Sequence, residues 1–325
     1  MNIDINNNLK IEIDKIINLY KQKNFRDALI LSNKVIEKDK NIPFLLNLNG
    51  LINLSLEKWH NAIFAFKKAL DADDKFVEAY NNIGVAYSHI GDDKKAVENY
   101  TLAIRLKKDY ANGYNNLASH YDDLGQYSEA VINYNYALKF NPENLNAQNN
   151  LIHLLNYFNP KNSDDNSIVK ANFLIKKIKT DISILKHISD LSLFEYLTKC
   201  NQILKKNIKN LSFFDSQIHR RNGYDLNCNR HHKAFNKFNI IPKYCFSCFK
   251  IQIELTTVSN LIRLFFIFDQ LRLPKDNIRK CFIELRPGIP GTYKGLIYCS
   301  SIEEAESVFE IVKPYMQKLM LDNFD

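Results

Sequence analysis

The sequence predicts an α-helical solenoid of about four two-helix hairpins plus a capping helix, then a helical connector and a small α+β domain. Three observations predict it. Small and aromatic residues recur at a fixed step of 34 as far as about residue 144, apolar residues then keep helical spacing to about 209, and beyond about 245 the apolar period changes to two.

The 34-residue step is the strongest signal. Ala28, Ala62, Ala96 and Ala130 keep it, as do Gly50 and Gly84, Gly91 and Gly125, the aromatics Phe66, Tyr100 and Tyr134, and the set Ala69, Ala103 and Ala137. Small residues let two antiparallel helices approach closely, and aromatics fill the holes beside them. A single hairpin cannot bury its apolar faces, so it stacks on the next. Turn residues fall between the helices at Gly91-Asp92-Asp93 and Leu124-Gly125-Gln126, with Asn141-Pro142 between hairpins.

This pattern resembles the tetratricopeptide repeat family over 9–42, 43–76, 77–110 and 111–144, with a lone helix at 145–158. The third repeat fits best, through Tyr80, Ile83, Gly84, Tyr87, Ala96, Tyr100 and Ala103. The first departs from the pattern, with Ile16 where a small residue belongs and Ser32 in place of the aromatic. The resemblance implies a concave groove, lined by the first helix of each hairpin, that binds an extended peptide or a partner protein. On that helix stand Asn81-Asn82, Asn115-Asn116 and Asn149-Asn150, with Asn47 one repeat earlier. A carboxamide both donates and accepts, so a row of them can bond a peptide main chain without choosing its side chains. The row looks like the asparagine ladder of protein O-linked N-acetylglucosamine transferases. Ordinary Asn-rich helices are the alternative. The repeated Lys and Arg of a carboxylate clamp are lacking.

Residues 159–166 read as a linker, and Ile168, Phe173, Leu174, Ile178, Ile182 and Leu185 keep helical spacing within 167–209, so 159–210 is expected to be linker and connector. From about 245, Phe249, Ile251, Ile253 and Leu255 alternate with polar residues as a half-buried strand. A helix capped by Thr256 or Thr257 should run to about Leu271. A strand through Cys281, Ile283 and Leu285 and another over 293–299 follow, and Ser301 with Glu304 opens a last helix to about Leu319, kinked at Pro314. Strand–helix–strand–strand–helix is the order of a ferredoxin-like sandwich, so 211–325 is expected to form a basic, Cys/His-containing α+β domain.

Charge and cysteine divide unevenly. Residues 1–158 carry 18 Lys and Arg against 19 Asp and Glu, a net of −1, whereas 159–325 carry 26 against 17, a net of +9. An excess of that sign suits an anionic partner such as nucleic acid, or serves solubility alone. All six cysteines lie beyond residue 199. Cys228-x-x-His231 and, after thirteen intervening residues, Cys245-x-x-Cys248 have the spacing of a closed tetrahedral Zn²⁺ site of structural type. His232 competes with His231, and Phe249 stands where a zinc knuckle has glycine; buried free thiols are the alternative. A redox pair fits less well, because this one enters a strand and not a helix N-terminus.

Arg220, Arg221, Arg230, Lys233, Lys237, Lys243 and Lys250, interleaved with Phe235, Phe238 and Tyr244, can grip phosphate and stack bases, or form a solvated basic surface. The loop from Arg286 to Lys294 can cradle an anion or simply join two strands. Composition is that of a globular protein, 46% hydrophobic and 25% charged. The greasiest run, Leu264 to Phe268, is five residues, so no membrane span is expected. With an early acid at Asp4 and no apolar block at the start, a cytoplasmic location is expected.

Function is expected to be that of an interaction adaptor, with a peptide or protein in the groove and a second partner on the basic domain, zinc-stabilised if the Cys/His set binds metal. A repeat-recruited modifying enzyme of transferase type and an RNA-binding protein are the alternatives. No catalytic residue is assigned, since no Gly-rich nucleotide loop, nucleophile elbow or facial triad is found; Glu254 and Glu284 read as solvent-facing strand residues.

Overall fold

A computed structural model describes residues 7–156, 158–161, 166–178, 188–208, 217–220, 249–275, 277, 279–284, 291–299 and 301–321. The chain divides into two compact units, 1–142 and 143–325.

The first unit is four antiparallel hairpins. They are α1 (Asn7–Lys21) with α2 (Phe25–Lys38), α3 (Pro43–Ser55) with α4 (Trp59–Ala72), α5 (Val77–Ile90) with α6 (Asp93–Leu106), and α7 (Ala111–Asp123) with α8 (Tyr127–Phe140). Each hairpin packs on the next, and the first helices also touch in succession, α3 on α5 and α5 on α7, as an inner layer.

The turns repeat as strictly as the sequence does. Lys23, Glu57, Gly91 and Gly125, 34 apart, all take positive φ, at 60°, 58°, 77° and 76°. Directly after each, the backbone N–H of Asn24, Lys58, Asp92 and Gln126 reaches back to the carbonyl of Leu19, Asn53, Tyr87 and Tyr121 at 2.9–3.0 Å. This six-to-one closure satisfies a carbonyl that the ending helix leaves open. The same residues begin the next helix, where the side chains of Asn24 and Asp92 cap Asp27 and Lys95.

Ala28, Ala62, Ala96 and Ala130 are fully buried where the helices meet. Glycine is needed at two of these close approaches: a Cβ on Gly50 would lie 2.3 Å from the Phe66 ring, and one on Gly84 would lie 2.7 Å from Tyr100. The irregular first repeat is compensated in kind. Ser32, in the aromatic's place, is fully buried and accepts from Asn49 Nδ2 at 2.9 Å, and Asn53 in turn donates to Asn49.

The second unit begins with α9 (Leu145–Leu155), α10 (Ser167–Lys176) and α11 (Asp190–Asn207). Helix α9, read from the sequence as a lone helix at 145–158, packs on α10, which packs on α11. A four-stranded antiparallel sheet follows, built from β1 (Gln217–Arg220), β2 (Phe249–Leu255), β3 (Arg279–Ile283) and β4 (Tyr293–Cys299) in the order β1-β3-β4-β2. Helices α12 (Val258–Gln270) and α13 (Ile302–Leu321) pack against it, α13 running through Pro314.

The unit β2–α12–β3 with β4 inserted between its strands is the split crossover of the ferredoxin-like sandwich. Its fourth strand differs. β1 lies on the β3 edge and precedes the crossover, in a stretch where the sequence reading placed no strand; four residues are too short a run to show a period. The core joins Ile253, Leu255, Leu264, Phe268, Cys281, Ile297, Val308 and Val312. Gly295, in the middle of β4, lets α12 sit close: a Cβ there would meet Leu264 at 2.3 Å.

Two buried arginines tie this unit together. Arg263 of α12 donates through Nε to the Ile188 carbonyl (2.8 Å), and through its two terminal nitrogens to Asn260 Oδ1 (2.7 Å) and Asp190 Oδ1 (2.7 Å), fixing the start of α11. Arg279 donates to the carbonyls of Phe268 and Leu271, which the end of α12 leaves open.

Candidate functional site

Asn47 on α3 and the doublets Asn81-Asn82 on α5 and Asn115-Asn116 on α7 fall on the inner layer, and the structure brings them together. Asn115 Nδ2 donates to Asn116 Oδ1 (3.3 Å), and Asn116 Nδ2 crosses to Asn81 Oδ1 of the preceding hairpin (3.0 Å). Asn81 Nδ2 donates to Asn82 Oδ1 (3.4 Å), and Asn82 Nδ2 crosses to Asn47 Oδ1 (2.9 Å). Five carboxamides thus form one chain over three helices, every bond pointing the same way along the stack. Amides aligned in this manner polarise one another.

The two members of a doublet have different surroundings. Asn47, Asn81 and Asn115 are buried, at 6%, 5% and 8% exposure, while Asn82 and Asn116 are half-buried. The adjacency that looked like one motif is therefore two positions. The first Asn lies inside and holds the second; the second reaches the inner surface with an N–H and a lone pair beyond those the chain uses. Asn149 and Asn150 continue the 34-residue step on α9, in the second unit, and both are half-buried there.

The polar network of Ser32, Asn33, Asn49 and Asn53 escaped the sequence reading, although the four-residue step between Asn49 and Asn53 on one helix was a signal for it. At the other end of the array, buried His120 places Nδ1 3.0 Å from Ser88 Oγ, between α5 and α7. Burial, and next the charge of Asp123, raise the Tyr100 phenol, and burial with Glu78 pushes Tyr110 up to about 12.

The residues proposed for metal and anion binding fare differently. Cys228, His231, Cys245 and Cys248, with Arg221, Arg230, Lys233 and Arg286, lie outside the described residues, and Arg220 is described only as a backbone position in β1. Lys294 is described and buried, 4.0 Å from a Glu284 carboxylate that is as buried as itself. Its charge is matched from within the fold. Glu284 is consequently not the solvent-facing residue that strand alternation suggests, whereas Glu254 is exposed. Among the described residues no group of three or more His, Cys, Asp or Glu side chains gathers as a metal site, and no helix is long and apolar enough to cross a membrane.

Solved structures similar to this chain include a MamA protein, at 20% identity over 64% of this chain and 98% of that one, with a TM-score of 0.41. Others are a thermophilic tetratricopeptide protein of Thermus thermophilus, at 15% identity over 61% and 99% with a TM-score of 0.43, and the first such domain of Spaghetti (RPAP3) bound to an HSP90 peptide, at 25% over 34% and 89% with a TM-score of 0.33. No curated protein matches the chain. The tetratricopeptide repeat profile matches at 77–110 and again at 111–144, the spans of α5–α6 and α7–α8. By sequence match and hairpin geometry, residues 77–144 of this chain are two tetratricopeptide repeats.

Proposed function

We propose that this protein is an interaction adaptor whose inner helical layer binds an extended peptide of a partner protein, with Asn82 and Asn116 bonding its main chain. The observation that supports the reading is the carboxamide chain. Asn82 and Asn116 are each held at both ends, by the buried Asn of their own doublet and by the Asn of the preceding hairpin. Donors and acceptors fixed in advance lose little rotamer entropy when a peptide docks. A main chain presents one donor and one acceptor per residue, so a ladder of this kind reads backbone more than side chains.

The test must separate presentation from support. Replacing Asn82 by Ala strands Asn81 Nδ2 and Asn47 Oδ1 inside, and an unmet buried polar group costs about 1–3 kcal/mol. The informative variant is Asn82→Asp with Asn116→Asp. It still accepts from Asn81 and Asn115, and Asn47 can turn its amide to donate; Asn81 Oδ1 loses the Asn116 donor, since Asn81 must keep its Nδ2 toward residue 82, and the N–H offered to a peptide is gone. Peptides selected from a random displayed library on the full chain should bind at least tenfold more weakly to this variant, measured well below its Tm. A library that yields no binder, or binders indifferent to both substitutions, would refute the groove.

For the second unit we propose, on the ligand spacing of Cys228, His231, Cys245 and Cys248, one structural Zn²⁺. Purified protein should then carry one equivalent of zinc, lost in Cys228→Ser and in Cys245→Ser. Metal-free protein that melts as the wild type does would remove the site.

A further inference from the structure

The connector has a feature that neither the repeats nor the zinc proposal uses. Between α10 and α11 lies an open trough of about 590 Å³, lined by Lys170, Leu174 and Ile178 on one side and by Lys199, Ile203 and Lys206 with Gln202 and Asn207 on the other. Its volume is in the range of ligand sites. On α10, Leu174 lies one helical turn beyond Lys170, and Ile178, just past the end of that helix, adds a further apolar side chain to the same wall of the trough. Leu174 keeps 36% of its surface exposed within it.

Charge in the trough has one sign. All three ionisable lining residues are lysines, and all three are exposed. None of their ammonium groups has a hydrogen bond or ion pair to another described residue. Helix α10 contains no acid at all. Of the two acids on α11, Asp190 is taken by Arg263 and Glu195 is not part of the lining.

From this arrangement we infer that the α10–α11 trough binds an acidic segment of a partner protein, an apolar side chain of which rests on Leu174, Ile178 and Ile203 while its carboxylates meet Lys170, Lys199 and Lys206. Spacing selects this occupant. Lys199 and Lys206 are seven residues apart on one helix, about 10 Å along its axis, with Lys170 on the facing helix. An aliphatic acid has one head and can satisfy one of these cations. A peptide can bring two or three carboxylates at that separation together with the side chain between them. The site belongs to the second unit and does not depend on the asparagine ladder.

The probe is a fluorescent amphipathic peptide with a row of Glu and a row of Leu, titrated into the full chain and followed by anisotropy. It should bind, and bind roughly tenfold or more weakly to Lys199→Glu with Lys206→Glu, since two charges at a desolvated contact carry at least that much. Leu174→Ser with Ile203→Ser should also weaken it, which a purely ionic attraction would not. Asn82→Asp with Asn116→Asp should leave it unchanged, so failure of the groove and failure of the trough read out separately. Three results would overturn the inference: no binding at low salt, binding indifferent to the lysine pair, or lysine-dependent capture of decanoate but not of the peptide.

Discussion

At the scale of single residues, a turn position recurs at Lys23, Glu57, Gly91 and Gly125 with positive φ throughout. Side chains with a Cβ pay about 1 kcal/mol for that conformation, because Cβ crowds the following carbonyl. Glu57→Gly should therefore raise stability by about that amount, read as a higher urea midpoint at unchanged m-value, whereas Gly91→Ala should lower it by a similar amount. A null result for Glu57→Gly would mean that contacts of its side chain offset the strain. Tyr110 sets a second expectation. Its phenol is pushed up to about 12 from an ordinary value of 10.0 by burial and then by Glu78. The fold thus favours the protonated form: the contribution is whole below pH 10.0 and drains away as pH rises through about 12. Tyr110→Phe, which has no proton to lose, should flatten the fall in Tm between those two pH values. An equally steep fall in the variant would assign alkaline unfolding to other groups such as Tyr100.

Among elements, the informative junction is the one between α11 and α12. Leu193 and Ile188 pack on Phe266, and Arg263 fastens the same corner through two buried acceptors and one exposed one. The Asp190 side chain is 76% exposed, so water screens that ion pair and most of the effect resides in the Ile188 carbonyl and Asn260. Arg263→Lys keeps the charge but cannot span three acceptors. It should cost about 2 kcal/mol and speed hydrogen exchange at the start of α11 while leaving that of β2 and β4 as it was. Uniform acceleration across the sheet would show that the arginine supports the whole domain. The strand spans read from the sequence fall within two residues of β2, β3 and β4, but of these three alternate burial holds in β2 alone: β3 buries both Cys281 and Phe282, and β4 buries Lys294 to Ile297 in succession. Alternation could not find β1, four residues long, whose partner β3 lies some sixty positions further along the chain.

For the whole molecule, the division at 142 and 143 also divides the charge. Residues 1–142 hold 18 basic and 18 acidic residues, so the full +8 belongs to 143–325. Each hairpin of the first unit buries its apolar faces against sequence neighbours, and stability of such stacks is a sum of local terms. A chain ending at Pro142 should accordingly stay helical and melt cooperatively; a fragment lacking a melting transition by circular dichroism would contradict that independence. What the sequence by itself determined was everything with a short period. A step of 34 dictates hairpins, since buried Ala and Gly must recur wherever helices recur, and steps of two and near four dictate strands and helices. Tertiary structure alone decided which polar groups meet. Nothing in an Asn-Asn doublet says that its first member is buried and its second presented, that Lys294 is matched by Glu284, or that three lysines from two helices line one trough. Periodicity records which face of an element leaves water, whereas hydrogen bonds and charge pairs depend on the neighbour that the chain brings to that face.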